Sequence, residues 1–147
     1  MQKLILSLCV CLAPCAVTSV AHAEKAGEVE VQPGYWNWSH KTRLAAIEFT
    51  EENTECLPEG EAQLSLQDLA DDLDQNCSLS DVIANESGYD FTLTCNGFYA
   101  GQATGTMTKL SDTDVMMQAA GRVVLAGVSA DFDFEAQATR VGTCPAG

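Results

Sequence analysis

Four cysteines beyond the apolar N-terminal segment are the residues best placed for covalent chemistry. They are Cys56, Cys77, Cys95 and Cys144, and no two of them have the C-x-x-C spacing that is common in zinc sites. In an exported chain, an even number of cysteines is typical of disulfide bonds. We therefore expect two disulfides and no metal, with three pairings open at this point.

The segment from Cys77 to Cys95 has the pattern of a β-hairpin. Its centre, residues 85–88, reads Asn-Glu-Ser-Gly, which is a turn-forming composition, and apolar and polar residues alternate in the second arm. Folding about this turn brings the two cysteines within one residue of register, an offset that a β-bulge absorbs. The hairpin favours a Cys77–Cys95 disulfide, which leaves Cys56 for Cys144.

His40 is the one histidine in the chain that follows the N-terminal segment, and histidine is the commonest general base. A Ser-His-Asp or Cys-His hydrolase needs such a histidine, but the chain has no G-x-S-x-G motif, and the cysteines are assigned to disulfides. We therefore interpret His40 as a surface histidine and predict no catalytic residues.

Three carboxylates alternate along one strand-like segment, at Asp131, Asp133 and Glu135. Same-face neighbours in a strand are about 7 Å apart, so two of them are able to hold a calcium ion or to act as a glycosidase pair. A solvated outer face explains the alternation without a ligand, and we prefer that interpretation.

Aromatic and methionine side chains are able to line an apolar pocket. The best candidates for contact with a small apolar ligand are Trp36, Trp38, Phe132 and Phe134; the wider set adds Tyr35, Phe91, Phe98, Tyr99, Met107, Met116 and Met117. Such residues on strand faces more often form a simple core, although a curled sheet of this size is able to enclose one small ligand.

The first 23 residues have the composition of a secretory signal peptide. A short basic start precedes an apolar run, which Pro14 interrupts and Ala21-His22-Ala23 ends. The run is too short and broken for a transmembrane span. We predict cleavage after Ala23 and a periplasmic or secreted protein. Lipidation at Cys15 is an alternative that the preceding proline argues against.

Removal of this segment leaves six basic residues against 21 acidic ones, a formal net charge of −15. Such a surface repels phosphate backbones, so we predict no nucleic-acid partner.

The remaining chain, residues 24–147, predicts a single β-rich domain. Period-two patterns and turn signals give six to eight strands, the clearest at Val128–Val141, and we expect residues 24–31 to be frayed. Only residues 58–74 have a helical pattern, with a capping signal at Ser65. We predict a curled antiparallel sheet, half-barrel or barrel-like, with one short helix and two disulfides.

Several short motifs occur in a familiar order: Pro33-Gly34-x-Trp36, then Cys56-Leu57-Pro58-Glu59, then Cys77 and Cys95, and finally Arg140-Val141-Gly142-Thr143-Cys144. This arrangement resembles the bacterial periplasmic family called domain of unknown function 3617, although Tyr35 stands where Leu or Ile is usual. The resemblance implies an envelope location and a β-rich domain, and it implies no activity and no cofactor.

We therefore expect a non-enzymatic envelope protein. It either binds a small apolar ligand or has a structural or interaction role with another envelope protein. A periplasmic hydrolase is the alternative.

Overall fold

The computed structural model describes residues 26–73, 75–97 and 100–145. In chain order the elements are β1 (Glu28–Glu30), β2 (Gly34–Leu44), β3 (Ile47–Leu57), β4 (Gln63–Ser65), α1 (Leu66–Leu73), β5 (Cys77–Asn85), β6 (Gly88–Cys95), β7 (Ala100–Ser111), β8 (Asp114–Leu125) and β9 (Val128–Gly142). The prediction of a mainly β chain with one short helix is confirmed. The predicted signal segment with Cys15 and Ala23, and the residues Asp74, Phe98 and Tyr99, lie outside the described residues.

One antiparallel sheet of seven strands dominates the structure, in the order β3-β2-β9-β8-β7-β6-β5. Strands β5 to β9 follow one another as a meander, and the β2–β3 hairpin joins it through β9. The described strands do not close into a barrel, since β3 and β5 remain as the two edges. Of the two predicted forms, half-barrel and barrel-like, the observed sheet agrees with the open half-barrel.

The connection from β3 to β5 explains why one face of the sheet is covered. The chain has to travel between opposite edges, a distance of about 29 Å for six strand spacings. It makes this crossing through β4 and α1, which lie over the apolar side of the sheet, where Leu66 and Ala70 are 1% and 2% exposed.

The strand register collects the large apolar side chains on that one side, here called the apolar face. Trp38 lies opposite Ala138, and Met107 lies opposite Met117. The buried side chains of the sheet are Trp36, Trp38, Leu57, Cys77, Tyr89, Phe91, Leu93, Ala103, Met107, Val115, Met117, Ala119, Phe134, Ala136 and Ala138. The opposite side carries mainly threonine, glutamine and charged residues, and we call it the polar face.

The helix begins where the sequence predicts. The backbone N–H groups of Gln67 and Asp68 donate to Oγ of Ser65 at 3.2 and 3.4 Å, as expected for an N-cap.

The expectation that residues 24–31 are frayed is wrong for residues 26–31, the part of this segment that the structure describes. Strand β1 pairs with β4, and Val29 is 4% exposed, because this short pair completes the cover over the apolar face.

Both disulfides have the favoured pairing. Cys77 lies opposite Cys95 with Cα atoms 4.0 Å apart, and Cys56 is bonded to Cys144 with Cα atoms 5.4 Å apart. The predicted bulge lies between Ser80 and Ile83. The β7–β8 pairing shifts its register between Lys109 and Ser111.

Among the described residues, no helix is long and apolar enough to cross a bilayer.

Candidate functional site

An open trough on the polar face has a volume of about 810 Å³. Two rows of side chains, each crossing the sheet from strand to strand, line it. In the order of strand pairing, one row is Glu48, Arg43, Asp133, Ala120, Thr104 and Thr92, and the other is Lys41, Glu135, Gln118, Thr106, Asp90 and Ile83. The antiparallel register therefore builds these rows from one or two residues of each of the seven strands.

The two basic groups of the trough each bind a carboxylate. Lys41 Nζ lies 3.2 Å from Glu48 Oε1. Arg43 donates through Nε and Nη2 to Oδ2 of Asp133, at 3.1 and 2.7 Å. These hydrogen bonds, together with the negative charge of Asp133, raise the pKa of the Arg43 guanidinium above its usual value.

The trough carries more negative than positive charge. Five carboxylates and two cations line it, and three carboxylates remain when each cation is paired with one. Of these, Glu135 accepts a hydrogen bond from Gln118 Nε2 at 3.1 Å, and Asp90 accepts one from Asn85 Nδ2 at 3.2 Å. These neutral partners leave the negative charge uncompensated, which favours cationic ligands.

The β5 bulge shapes one wall of the trough. Asp81 has a φ of 51°, in the left-handed region, and lines the trough together with Ile83, which is 62% exposed. A regular strand would place both residues on the apolar face with Leu79. The bulge instead turns Val82 toward the apolar face and moves Ile83 to the polar face.

The three alternating carboxylates of β9 have partners across neighbouring strands. Asp131 accepts from Arg122 Nε at 3.1 Å, Asp133 binds Arg43, and Glu135 binds Gln118. Within the described part of the chain, no group of three or more His, Cys, Asp or Glu residues has the geometry of a metal site. The structure thus brings Asp133 and Glu135 into the trough as members of paired rows.

The predicted aromatic ligand contacts lie on the apolar face. Trp36 is completely buried and donates from Nε1 to the carbonyl oxygen of Gln32 at 3.1 Å, and Trp38 is 8% exposed. Phe132 and Phe134 border a crevice of about 20 Å³ beneath α1. Such a crevice has room for about one water molecule. An apolar ligand there requires α1 to move.

His40 also lies on the apolar face, so the expectation of a surface histidine is corrected. Its ring is half-buried and packs 5.9 Å from the rings of Trp38 and Phe134. Alternation along β2 explains this position, because His40 shares a face with Trp38. Its Nε2 and the Nε1 of Trp38 are buried and have no hydrogen-bond partner within the described structure.

Sequence reasoning missed the trough as a site. The relevant signal was present in the threonine-rich strand at residues 102–108 and in the polar positions of β9. Each strand alone indicates only a solvated face. The rows become visible when the register of all seven strands is known.

Comparison with known proteins is informative at the level of the family. No curated protein and no solved structure matches the chain. A family model described as "Protein of unknown function (DUF3617)" matches residues 31–144, a span that includes the trough, both disulfides and all of the seven-stranded sheet. The chain therefore belongs to the DUF3617 family.

Proposed function

We propose that this protein is an exported, non-enzymatic envelope protein that binds a small, polar, positively charged molecule in the trough. The observation that carries the proposal is the trough itself. Its volume of about 810 Å³ falls within the range of small-molecule sites, roughly 300–1,000 Å³. The crevice on the apolar face is far smaller, so we place the ligand on the polar face.

The charge and chemistry of the trough define the ligand class. The surplus of carboxylates attracts a cation, and the hydroxyl groups of Thr92, Thr104 and Thr106 offer further hydrogen bonds. Ile83 and Ala120 provide apolar contacts for a short alkyl chain. An organic amine with more than one positive charge satisfies all three features.

The two disulfides support an oxidising location outside the cytoplasm. We place the protein in the periplasm or the secreted fraction on that basis, together with the signal-like N-terminus. The strongly acidic composition argues against nucleic acid as a partner.

A hydrolase has less support. A nucleophilic mechanism needs a histidine in hydrogen-bond contact with a nucleophile. His40 Nε2 has no such contact in the described part of the chain.

Calorimetric titration with spermidine tests the proposal, with maltose as a neutral polar comparator of similar length. Ala120→Trp fills the centre of the trough, and Val124→Trp is the matched control on the same strand and face, outside it. We expect spermidine to bind wild type and Val124→Trp equally, and Ala120→Trp at least about tenfold more weakly. Equal binding to all three proteins, or no binding to wild type, contradicts the proposal.

A further inference from the structure

The edge strand β3 is unusual because it is long, regular and exposed. It has 11 residues, and ten of them are exposed. Its pairing with β2 runs from Ile47 to Leu57 without a register shift. Since every second residue of an edge strand directs its N–H and C=O groups outward, β3 presents a continuous row of backbone donors and acceptors.

The other edge differs in a way that matters for strand addition. Strand β5 is interrupted by the bulge at Asp81 and Val82, and α1 packs beside it. Bulges and covering helices are the features that block pairing at sheet edges. Strand β3 has no bulge, so it is the edge that is able to accept another strand.

The side chains of β3 determine which strand it accepts. The strand carries four glutamates, Glu48, Glu51, Glu52 and Glu55, and no basic residue. Within the described ion pairs, Glu48 contacts Lys41, and the other three contact no cation. The outer edge of the sheet therefore has a strong local negative charge.

This charge disfavours pairing between two copies of β3. Antiparallel pairing about the centre of the strand places Glu52 opposite Glu52 of the second copy. Since only every second residue of the edge faces the second copy, the neighbouring registers place Glu51 opposite Glu51 or Glu51 opposite Glu55. Like charges directly opposite one another destabilise a strand pair.

We propose that β3 binds an extended, lysine- and arginine-rich segment of a partner protein, which adds to the sheet as an eighth strand. Backbone hydrogen bonds along β3 provide the affinity, and the glutamates select basic side chains. Ile47 and Phe49, 60% and 51% exposed at one end of the strand, offer apolar contacts to the same segment. This interaction shares only Glu48 with the trough, and it uses the backbone edge of β3, which the trough does not.

A labelled peptide of alternating lysine and valine, about ten residues long, tests the proposal by fluorescence anisotropy. We expect a micromolar Kd, because one added strand buries less than about 1,200 Å². The same peptide with alternate backbone nitrogens methylated keeps its charge but loses donors along one edge. We expect it to bind at least about tenfold more weakly. Equal affinity of the two peptides reduces the interaction to simple charge attraction and overturns the proposal.

Protein variants provide the second arm of the test. Glu51→Lys/Glu55→Lys reverses two charges on β3, and Glu61→Lys/Glu86→Lys makes the same change in exposed turns. We expect the first variant to bind the lysine–valine peptide about tenfold more weakly than wild type does. The affinity of the second variant should change by less than about twofold. Bound peptide should also slow amide hydrogen exchange in β3, and Ala120→Trp should bind the peptide as wild type does. Equal losses of affinity in the two double variants would contradict binding at β3. Slower amide exchange in β5 rather than in β3 would contradict it as well.

Discussion

Asp114, at the start of β8, is held by three hydroxyl groups. Thr113 Oγ1 and Ser111 Oγ donate to its Oδ2 at 2.9 and 3.0 Å, and Thr139 Oγ1 donates to its Oδ1 at 3.1 Å. These hydrogen bonds, first that from Thr113 and then that from Ser111, lower the pKa of Asp114 below its usual value of 3.8. The carboxylate therefore connects the β7–β8 turn to β9 in its ionised form.

This lowered pKa predicts a specific dependence of stability on pH. The unfolded chain protonates Asp114 at a higher pH than the folded chain, so the contribution is complete above the unfolded pKa. It is lost as the pH falls through the folded pKa. Between about pH 5 and pH 2, thermal unfolding should show a larger fall in Tm for wild type than for Asp114→Asn. Parallel curves for the two proteins would show that Asp114 contributes nothing to this dependence.

Trp38 and His40 each have a buried ring nitrogen that has no hydrogen-bond partner in the described structure. A buried unsatisfied group costs about 1–3 kcal/mol. His40→Phe removes one such atom and keeps a ring against Phe134. We expect it to raise the free energy of unfolding by about 1 kcal/mol in urea titrations. His40→Ala, which also removes the packing, should lower it. A lower free energy of unfolding for His40→Phe than for wild type would show that His40 Nε2 has a hydrogen-bond partner in solution.

At the scale of elements, the β5 bulge resolves a conflict in the sequence. Cys77, Leu79, Asp81 and Ile83 alternate, so a regular strand would bury Asp81. An unpaired buried carboxylate is costly. The extra residue in β5 lets Val82 take the inward position, and it leaves Asp81 exposed with a φ of 51°.

The backbone at Asp81 predicts opposite effects for two substitutions. Glycine adopts positive φ freely, so Asp81→Gly should leave the free energy of unfolding unchanged or raise it by up to about 1 kcal/mol. Asp81→Val places a β-branched residue there and should lower it by about 1–3 kcal/mol. Chemical denaturation of both variants measures the difference. Equal stabilities would place the strain elsewhere in the bulge.

At the scale of the whole molecule, the Cys56–Cys144 disulfide joins the end of β3 to the segment after β9. These cysteines are separated by 88 residues, whereas Cys77 and Cys95 are separated by 18. The long bond restricts most of the unfolded chain, including the crossing through β4 and α1.

Removal of the long disulfide should therefore have the larger effect. In the loop-entropy model, the free energy of unfolding should fall by about 4.6 kcal/mol in Cys56→Ser/Cys144→Ser. It should fall by about 3.2 kcal/mol in Cys77→Ser/Cys95→Ser. The first value is a large part of the stability of a typical domain. Urea denaturation of the purified double variants tests the order. A larger loss in the Cys77–Cys95 variant would show that native-state strain or residual structure outweighs loop length.

The sequence by itself determined the local features of this protein. Hydrophobic alternation located the strands, Ser65 marked the start of the helix, and the spacing of Cys77 and Cys95 about residues 85–88 indicated their disulfide and its bulge. The ordered motifs pointed to the family. These features depend on residues close in the chain or on composition, so a linear pattern contains them.

Only the tertiary structure decided which distant strands meet. The pairing of β9 with β2, the open edges and the trough depend on the register of seven strands, and β1 is held by its distant partner β4. His40 was misplaced as a surface residue because its burial comes from Phe134, far along the chain. A strand pattern gives two faces, but it does not give the neighbours of each face, because those are set by long-range packing.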